Sequence, residues 1–418
     1  MTNFLGYRCS ICQTEYQPSQ VNYLCPQDGG NLEVVLDYTA IRRHYHPEDV
    51  TARTDPSLWR YLPPLIPVDD PLADGTPMAV AGWTPLYRLP KLAAKLGVKH
   101  LWIKDEGRNP TASFKDRASA VVIARAKEIN AEVVVTASTG NAGAALAGMA
   151  AAVGQRSVIF APRTAPPAKV AQLLVYGAKV ILVDGNYDQA FDLAVESADR
   201  FGWYCRNTGY NPFTLEGKKT AAFEIWETVF MPADGYQGQL CVFVSVGDGN
   251  IISGLHKGFK ELNSLGWLEV MPRLFGVQAE GSAAVANAFH SGGEHIEPVH
   301  AQTLADSISV DLPRDGLRAV RAARETGGTY LTVTDEQILQ AIAALGKIGV
   351  FSEPAGATAY AGLLTALRQG LIKPQDAVLV MNTGNGLKDI QAAMRSVPQA
   401  PVIEPTMTAL EKYLQKEL

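Results

Sequence analysis

Asn109-Pro110-Thr111-Ala112-Ser113-Phe114-Lys115-Asp116-Arg117 lies between a β-branched run at 100–104 and an Ala-rich segment at 119–128. A short apolar run of this kind reads as a buried strand and the longer segment as a helix, so the stretch is a strand-to-helix junction. The same alternation continues outward. Further strand-like runs fall at 133–136, 157–161, 179–183, 240–246, 273–278 and 377–382, with helical segments at 142–153, 169–176, 187–201, 220–228 and 251–262. Strand and helix in alternation predict an α/β chain of doubly wound, largely parallel sheets, whose ligands bind where loops leave the C-terminal ends of strands.

Length and composition agree with that reading. At 418 residues, with 47% hydrophobic and 19% charged residues and 37 glycines, the chain has room for two domains and many tight turns. A net charge of -5 argues against a nucleic-acid partner, whose binding face would be basic. Residues 1–8 lack a basic region followed by an apolar stretch, so no secretory signal is expected. The most apolar window, 143–153, is about half of the roughly 20 residues that span a bilayer, and reads as a buried helix. Five scattered cysteines do not make a disulfide framework, and a cytoplasmic setting is expected.

Four junctions carry possible chemistry. Lys115 precedes a helix expected from near Asp116 and can face a cleft there, where partial burial and the positive helix end favour the neutral amine that imine formation requires; a surface lysine is the simpler reading of the residue alone. Ser138-Thr139-Gly140-Asn141-Ala142-Gly143 follows the run 133–136, and its backbone N–H groups can receive a carboxylate; a plain N-cap is the simpler reading. Val246-Gly247-Asp248-Gly249-Asn250-Ile251 lets the backbone close around a phosphate, although it lacks the lysine and spacing of nucleotide loops. Asn382-Thr383-Gly384-Asn385-Gly386-Leu387-Lys388-Asp389 places the Thr383 hydroxyl where it can meet a ring nitrogen, or simply makes a tight turn.

In this order the four motifs resemble the threonine synthases, members of the type II pyridoxal-phosphate fold typified by the tryptophan synthase β chain; the likeness runs from about Gly82 to Met394. The resemblance implies two doubly wound domains, a large cofactor-binding one (76–118 with 225–400) and a small one (119–224), after an extension at 1–75. It implies pyridoxal 5'-phosphate held by Lys115 as a Schiff base, with Lys115 as the acid and base at the substrate Cα. Asn141 would bond the cofactor's 3-hydroxyl, Gly247, Asp248, Gly249, Asn250 and Ile251 its phosphate, and Thr383 its ring nitrogen. Phe114 would pack on the ring or belong to the core. Ser138, Thr139 and Gly140 would hold the substrate carboxylate. A homodimer acting on a small amino-acid substrate is expected, with neither nucleic acid nor membrane as partner.

The resemblance also implies a lyase in amino-acid metabolism that releases phosphate from O-phosphohomoserine and adds water to give L-threonine. Substrate phosphate would meet Ala142, Asn207, Thr208, Thr214 and Lys218. Two of these depart from the family pattern. An arginine usually precedes Leu215-Glu216-Gly217, where this chain has Thr214, and a hydroxyl residue usually follows Asn141, where it has Ala142. A threonine cannot replace the charge and fork geometry of arginine toward phosphate, though Lys218 can compensate. Glu353-Pro354-Ala355-Gly356-Ala357 resembles a loop of threonine and serine dehydratases. An ammonia-lyase, dehydratase or β-replacement enzyme acting on threonine or serine therefore stands as the alternative.

The extension carries Cys9-x-x-Cys12 and Cys25-Pro26-Gln27-Asp28-Gly29-Gly30, the outline of a zinc ribbon with three thiols. Asp28 takes the fourth place with an oxygen, a ligand that structural zinc sites use rarely. No metal ligand is assigned on sequence alone, and a degenerate ribbon held by its own packing is the other reading.

Overall fold

A computed structural model describes residues 3–71 and 73–417. Two sheets organise the chain. The larger runs, edge to edge, through Thr329–Val333, Arg273–Ala279, Leu240–Ser245, Ala377–Asn382, His100–Asp105 and Leu86–Arg88, parallel except for the last. The smaller, all parallel, runs Lys179–Val183, Arg156–Pro162, Val133–Ala137 and Tyr204–Cys205. Leu240–Ser245 and Ala377–Asn382 are buried at every position, which is why they read as unbroken apolar runs rather than alternating ones. Register puts Asn382 beside Asp105, and the Asn382 Nδ2 donates to Asp105 Oδ1 at 2.7 Å, pinning two strand ends that lead into the Lys115 and Thr383 loops.

The expected strands are present, with no end shifted by more than one residue, and the expected helices differ more. The helix that carries Lys115 spans Lys115–Glu128 and so begins at the lysine itself. The helix expected at 220–228 spans Phe213–Ile225 and continues into a π turn at Trp226–Phe230. Gly217 hid its start, because a glycine reads as a helix breaker. Here it allows contact: a Cβ at Gly217 would lie 2.0 Å from the Arg117 carbonyl oxygen, so its absence lets this helix press against Lys115–Glu128. The edge strand Leu86–Arg88, the strand Thr329–Val333 and the helices Gly316–Glu325, Asp335–Gly346 and Pro354–Arg368 were not anticipated. Residues 4–36 form a small antiparallel sheet of Phe4–Cys9, Glu15–Tyr16 and Leu32–Leu36. Among the described residues no helix is long and apolar enough to cross a membrane.

A buried ionic network locks the junction that opened the sequence. Arg117 makes a fork to Glu106, with Nε to Oε2 at 2.7 Å and Nη2 to Oε1 at 2.8 Å, and also pairs with Glu224. Lys104 Nζ reaches Glu224 Oε2 at 2.5 Å and the Thr84 carbonyl at 2.6 Å, while Asn109 Nδ2 donates to Glu106 Oε2 at 2.8 Å. All of these side chains are buried. Much of the motif around Lys115 is thus support for the lysine. Removing one member leaves carboxylates dry and underpaired, so Arg117→Met is expected to cost about 3–5 kcal/mol of stability. Urea denaturation checks this; a loss under about 1 kcal/mol would mean that the network relaxes around the gap.

Candidate active site

A cavity of about 470 Å³ opens between the C-terminal ends of the two sheets, lined by Lys115, Thr136, Ser138, Lys218, Ser245 and Thr383 among others. This is where loops leave parallel strands, the expected place for a ligand. The Lys115 loop is tied to the Thr383 loop through its backbone. Phe114 N–H donates to the Thr383 carbonyl at 2.9 Å, and Asn385 N–H to the Ala112 carbonyl at 3.0 Å. Burial holds the Lys115 amine below the usual lysine range; the charge of Arg206 acts in the same direction, while Glu353 and Asp248 oppose it.

On the facing side, Ser138, Thr139 and Gly140 connect Val133–Ala137 to the helix Asn141–Ala152. A Cβ at Gly143 would come within 2.0 Å of the Ser138 carbonyl, so only glycine lets this loop fold onto the first helical turn. Asn141 Nδ2 donates to Glu353 Oε1 at 2.7 Å and to Ser307 Oγ at 3.3 Å. Burial raises the Glu353 carboxyl above the usual range, against the pull of Lys115 and Lys388.

Leu240–Ser245 runs through Val246, Gly247, Asp248 and Gly249 into the helix Asn250–Leu265. Gly249 has φ 93° and no side-chain cap covers the first turn, so the N–H groups of that turn are presented to the cavity. The 16-residue helix adds its dipole. Asp248 stands on the same wall; its Oδ1 accepts from Arg314 N–H at 3.4 Å, and burial raises its carboxyl above the usual range.

The smaller sheet contributes a further junction. Arg206 directly follows the two-residue strand Tyr204–Cys205 and lines the cavity with Thr208 and Lys218. Its Nη1 donates to Thr208 Oγ1 at 2.6 Å and its Nε to Ser119 Oγ at 3.1 Å. Lys218 Nζ donates to Asn250 Oδ1 at 2.7 Å. Burial, then the charges of Arg206 and Lys115, keep the Lys218 amine well below the usual lysine range. The Arg206 guanidinium thus lowers both amines, and one fixed cation beside two basic side chains suits an anion.

The cavity wall gathers Lys115, Ser138, Thr139, Gly140, Asn141, Ala142, Thr208, Lys218, the turn Gly247 to Ile251, and Thr383. Three expected residues stand elsewhere. Phe114 is fully buried in the main hydrophobic core, which corrects the reading that packs it on a ligand ring. Thr214 turns its hydroxyl back to the Asn211 carbonyl at 2.8 Å. Asn207 Oδ1 accepts from Thr136 Oγ1 at 2.8 Å and Ala137 N–H at 2.9 Å, tying strand ends together. Arg206, Ser307 and Arg314 were missed, and Glu353 was noticed only for its loop. A strand of two residues has no readable periodicity, so the junction that carries Arg206 left no strand signal. Its position next to Asn207 was the available hint.

A lysine whose amine is shifted toward its neutral form, opposite a glycine turn that aims N–H groups from a helix end, suits a carbonyl cofactor that bears a phosphate. The donors fit pyridoxal phosphate: an amine for its aldehyde, a phosphate turn, and the buried Thr383 on the wall. Comparison with known proteins agrees. The family model described as pyridoxal-phosphate dependent enzyme matches residues 78–384. The threonine synthase of Methanocaldococcus jannaschii is 38% identical over 412 residues, covering 98% of this chain and 99% of the relative. That of Methanosarcina acetivorans is 36% identical over 413 residues, covering 97% and 98%. Among solved structures, diaminopropionate ammonia lyase from Escherichia coli superposes with a TM-score of 0.64 at 22% identity, covering 75% of this chain and 87% of the other, a likeness of fold. The chain belongs to the pyridoxal-phosphate dependent enzymes and, within them, to the threonine synthase family of lyases.

Proposed function

We propose that the chain converts O-phosphohomoserine to L-threonine, with Arg206 and Lys218 receiving the substrate phosphate. The observation that supports this reading is the make-up of the corner itself: Arg206, Thr208 and Lys218 line the same cavity as Lys115, and a guanidinium fork with a hydroxyl and an amine matches the oxygens of a side-chain phosphate. Ala142 brings no hydroxyl to the wall and the Thr214 hydroxyl lies against the Asn211 carbonyl at 2.8 Å and Asn250 Oδ1 at 3.3 Å, yet Arg206 supplies a guanidinium fork from another strand end. The charge has moved; it has not been lost.

Bound pyridoxal phosphate supplies an electron sink for a carbanion at Cα. In this proposal the N–H groups of Gly249, Asn250 and Ile251 take its phosphate, the Thr383 hydroxyl faces its ring nitrogen, and Asn141 exchanges Glu353 for its 3-hydroxyl. The Ser138 to Gly140 loop, at the N-terminus of the 12-residue helix Asn141–Ala152, receives the substrate carboxylate. Lys115 takes the proton from Cα and returns one there at the end, a role that its burial favours by shifting the amine toward its uncharged form. Loss of a proton from Cβ would expel phosphate from Cγ, whose charge Arg206 and Lys218 take up; a proton then adds at Cγ and water at Cβ, which gives the methyl and hydroxyl groups of threonine.

The test is direct. O-phosphohomoserine, O-phosphoserine, threonine and serine are supplied separately while inorganic phosphate and 2-oxo acid are measured. Phosphate and threonine from the first, without oxo acid, is the expected result. Oxo acid from threonine or serine, with O-phosphohomoserine inert, would replace the proposal by the dehydratase reading.

A further inference from the structure

The amino-terminal sheet brings Cys9, Cys12, Cys25 and Asp28 together, although two of them lie in one turn and two in another. One ligand atom from each lies within 4.8 Å of all the others. In a tetrahedral zinc site, with Zn–S of about 2.3 Å and Zn–O of about 2.1 Å, sulfurs stand about 3.8 Å apart and sulfur and oxygen about 3.6 Å apart. Cys12 Sγ and Cys25 Sγ are 3.7 Å apart, and Cys9 Sγ lies 3.3 and 3.6 Å from the two Asp28 oxygens.

The groups around the ligands are built to hold anions. Ile11 N–H points at Cys9 Sγ at 3.3 Å, as in the knuckle turns that present thiolates to a metal, and the Tyr16 hydroxyl lies 3.1 Å from Cys25 Sγ. Both Asp28 oxygens are fixed by backbone donors, Oδ1 by Gly30 N–H at 2.8 Å and Oδ2 by Cys12 N–H at 3.2 Å. Such outer contacts orient a ligand before the ion arrives. Gly30 must lack a side chain, since a Cβ there would lie 2.7 Å from Cys9 Sγ. Cys12 and Asp28 are exposed, which leaves an entry path, and Cys9 and Cys25 close the other side.

We propose that Cys9, Cys12, Cys25 and Asp28 bind one structural zinc ion, which holds the second knuckle in place and through it the loop bearing Arg206. Tyr23 and Asn31 flank that knuckle. The Tyr23 hydroxyl accepts from Cys205 N–H at 2.9 Å and its ring stacks on Tyr210 at 4.6 Å, while Asn31 Nδ2 donates to the Gly209 carbonyl. The ribbon thus grips both ends of residues 205–209, which present Arg206 and Thr208 to the cavity. The link to substrate rests on the function proposed above; the metal site stands apart from it.

The experiment uses the full chain, supplied with zinc, desalted without chelator and analysed for metal. One equivalent of zinc is expected in the parent, less than half in Cys12→Ser and in Cys25→Ser, and one in Asp28→Cys, with slower loss to a chelator. Cobalt in place of zinc should show thiolate-to-cobalt charge-transfer absorption. Less than half an equivalent in the parent, a Cys12–Cys25 disulfide in its place, or undiminished zinc in Cys25→Ser overturns the site. Zinc removal should raise the KM for O-phosphohomoserine by about 10- to 100-fold, with cofactor absorption retained; an unchanged KM overturns the positioning role. Failure of O-phosphohomoserine as a substrate of the zinc-loaded enzyme would count against the proposed function and leave the metal stoichiometry standing.

Discussion

Lys115→Ala is expected to lower turnover by about 10⁴-fold, the upper end of what a positioned acid and base contributes, while the variant folds as the parent does. The lysine opens its helix at the cavity, so truncation removes a reactive amine without emptying the core. Burial has already shifted this amine toward its neutral form, which gives two further readouts. Borohydride should fix the cofactor to a peptide containing Lys115 in the parent and to no peptide in the variant. Cofactor capture by the parent apoprotein should fall on acidification, because protonation consumes the free amine, with a midpoint below that of an ordinary lysine. Labelling at another lysine, or a variant with parental turnover, would remove Lys115 from the chemistry.

Arg206→Leu is the second large effect. If the guanidinium meets substrate phosphate in this dry corner, its loss is expected to cost about 2–4 kcal/mol, or between about 30- and about 1,000-fold in kcat/KM. The effect should be mainly in KM, and inorganic phosphate should weaken as a competitor in parallel. Arg206→Lys should recover part of the loss, since charge survives while the fork does not. The same change removes a positive neighbour of Lys115 and so should move the midpoint of cofactor capture to higher pH. An unaltered kcat/KM for O-phosphohomoserine would show that phosphate sits elsewhere. Activity of Arg206→Leu equal to the parent on threonine or serine would point to the alternative reaction.

The doubly wound alternation was legible because central strands buried on both faces leave unbroken apolar runs, and because each ends in a small-residue turn. Much of the cavity wall could be read for the same reason: Lys115, the Ser138 to Gly140 loop, the Gly247 turn and Thr383 all lie at such junctions. Side-chain direction within a helix could not be read. From 214 to 220 the sequence offered Thr214 and Lys218 as phosphate contacts, and of the two Lys218 lines the cavity. Glu216 and Lys219 pair with each other and with Lys257 and Glu261 of the helix Asn250–Leu265, and Thr220 supports Arg117 at 3.0 Å. Phe114 likewise shares a motif with Lys115 and points into the core.

By itself, then, the sequence determined the strand-and-helix order, the family and the place of the reactive lysine, because these rest on local periodicity and on contiguous motifs. The tertiary structure decided what depends on segments far apart in the chain. It placed Arg206 and Lys218 on one cavity wall with Lys115 and the turn at Gly247. It also closed two separate turns into one set of three thiols and a carboxylate. The physical reason is common to both. Electrostatic fields and coordination depend on distance in space, and such distances are set when the sheets pack and the ribbon folds onto them.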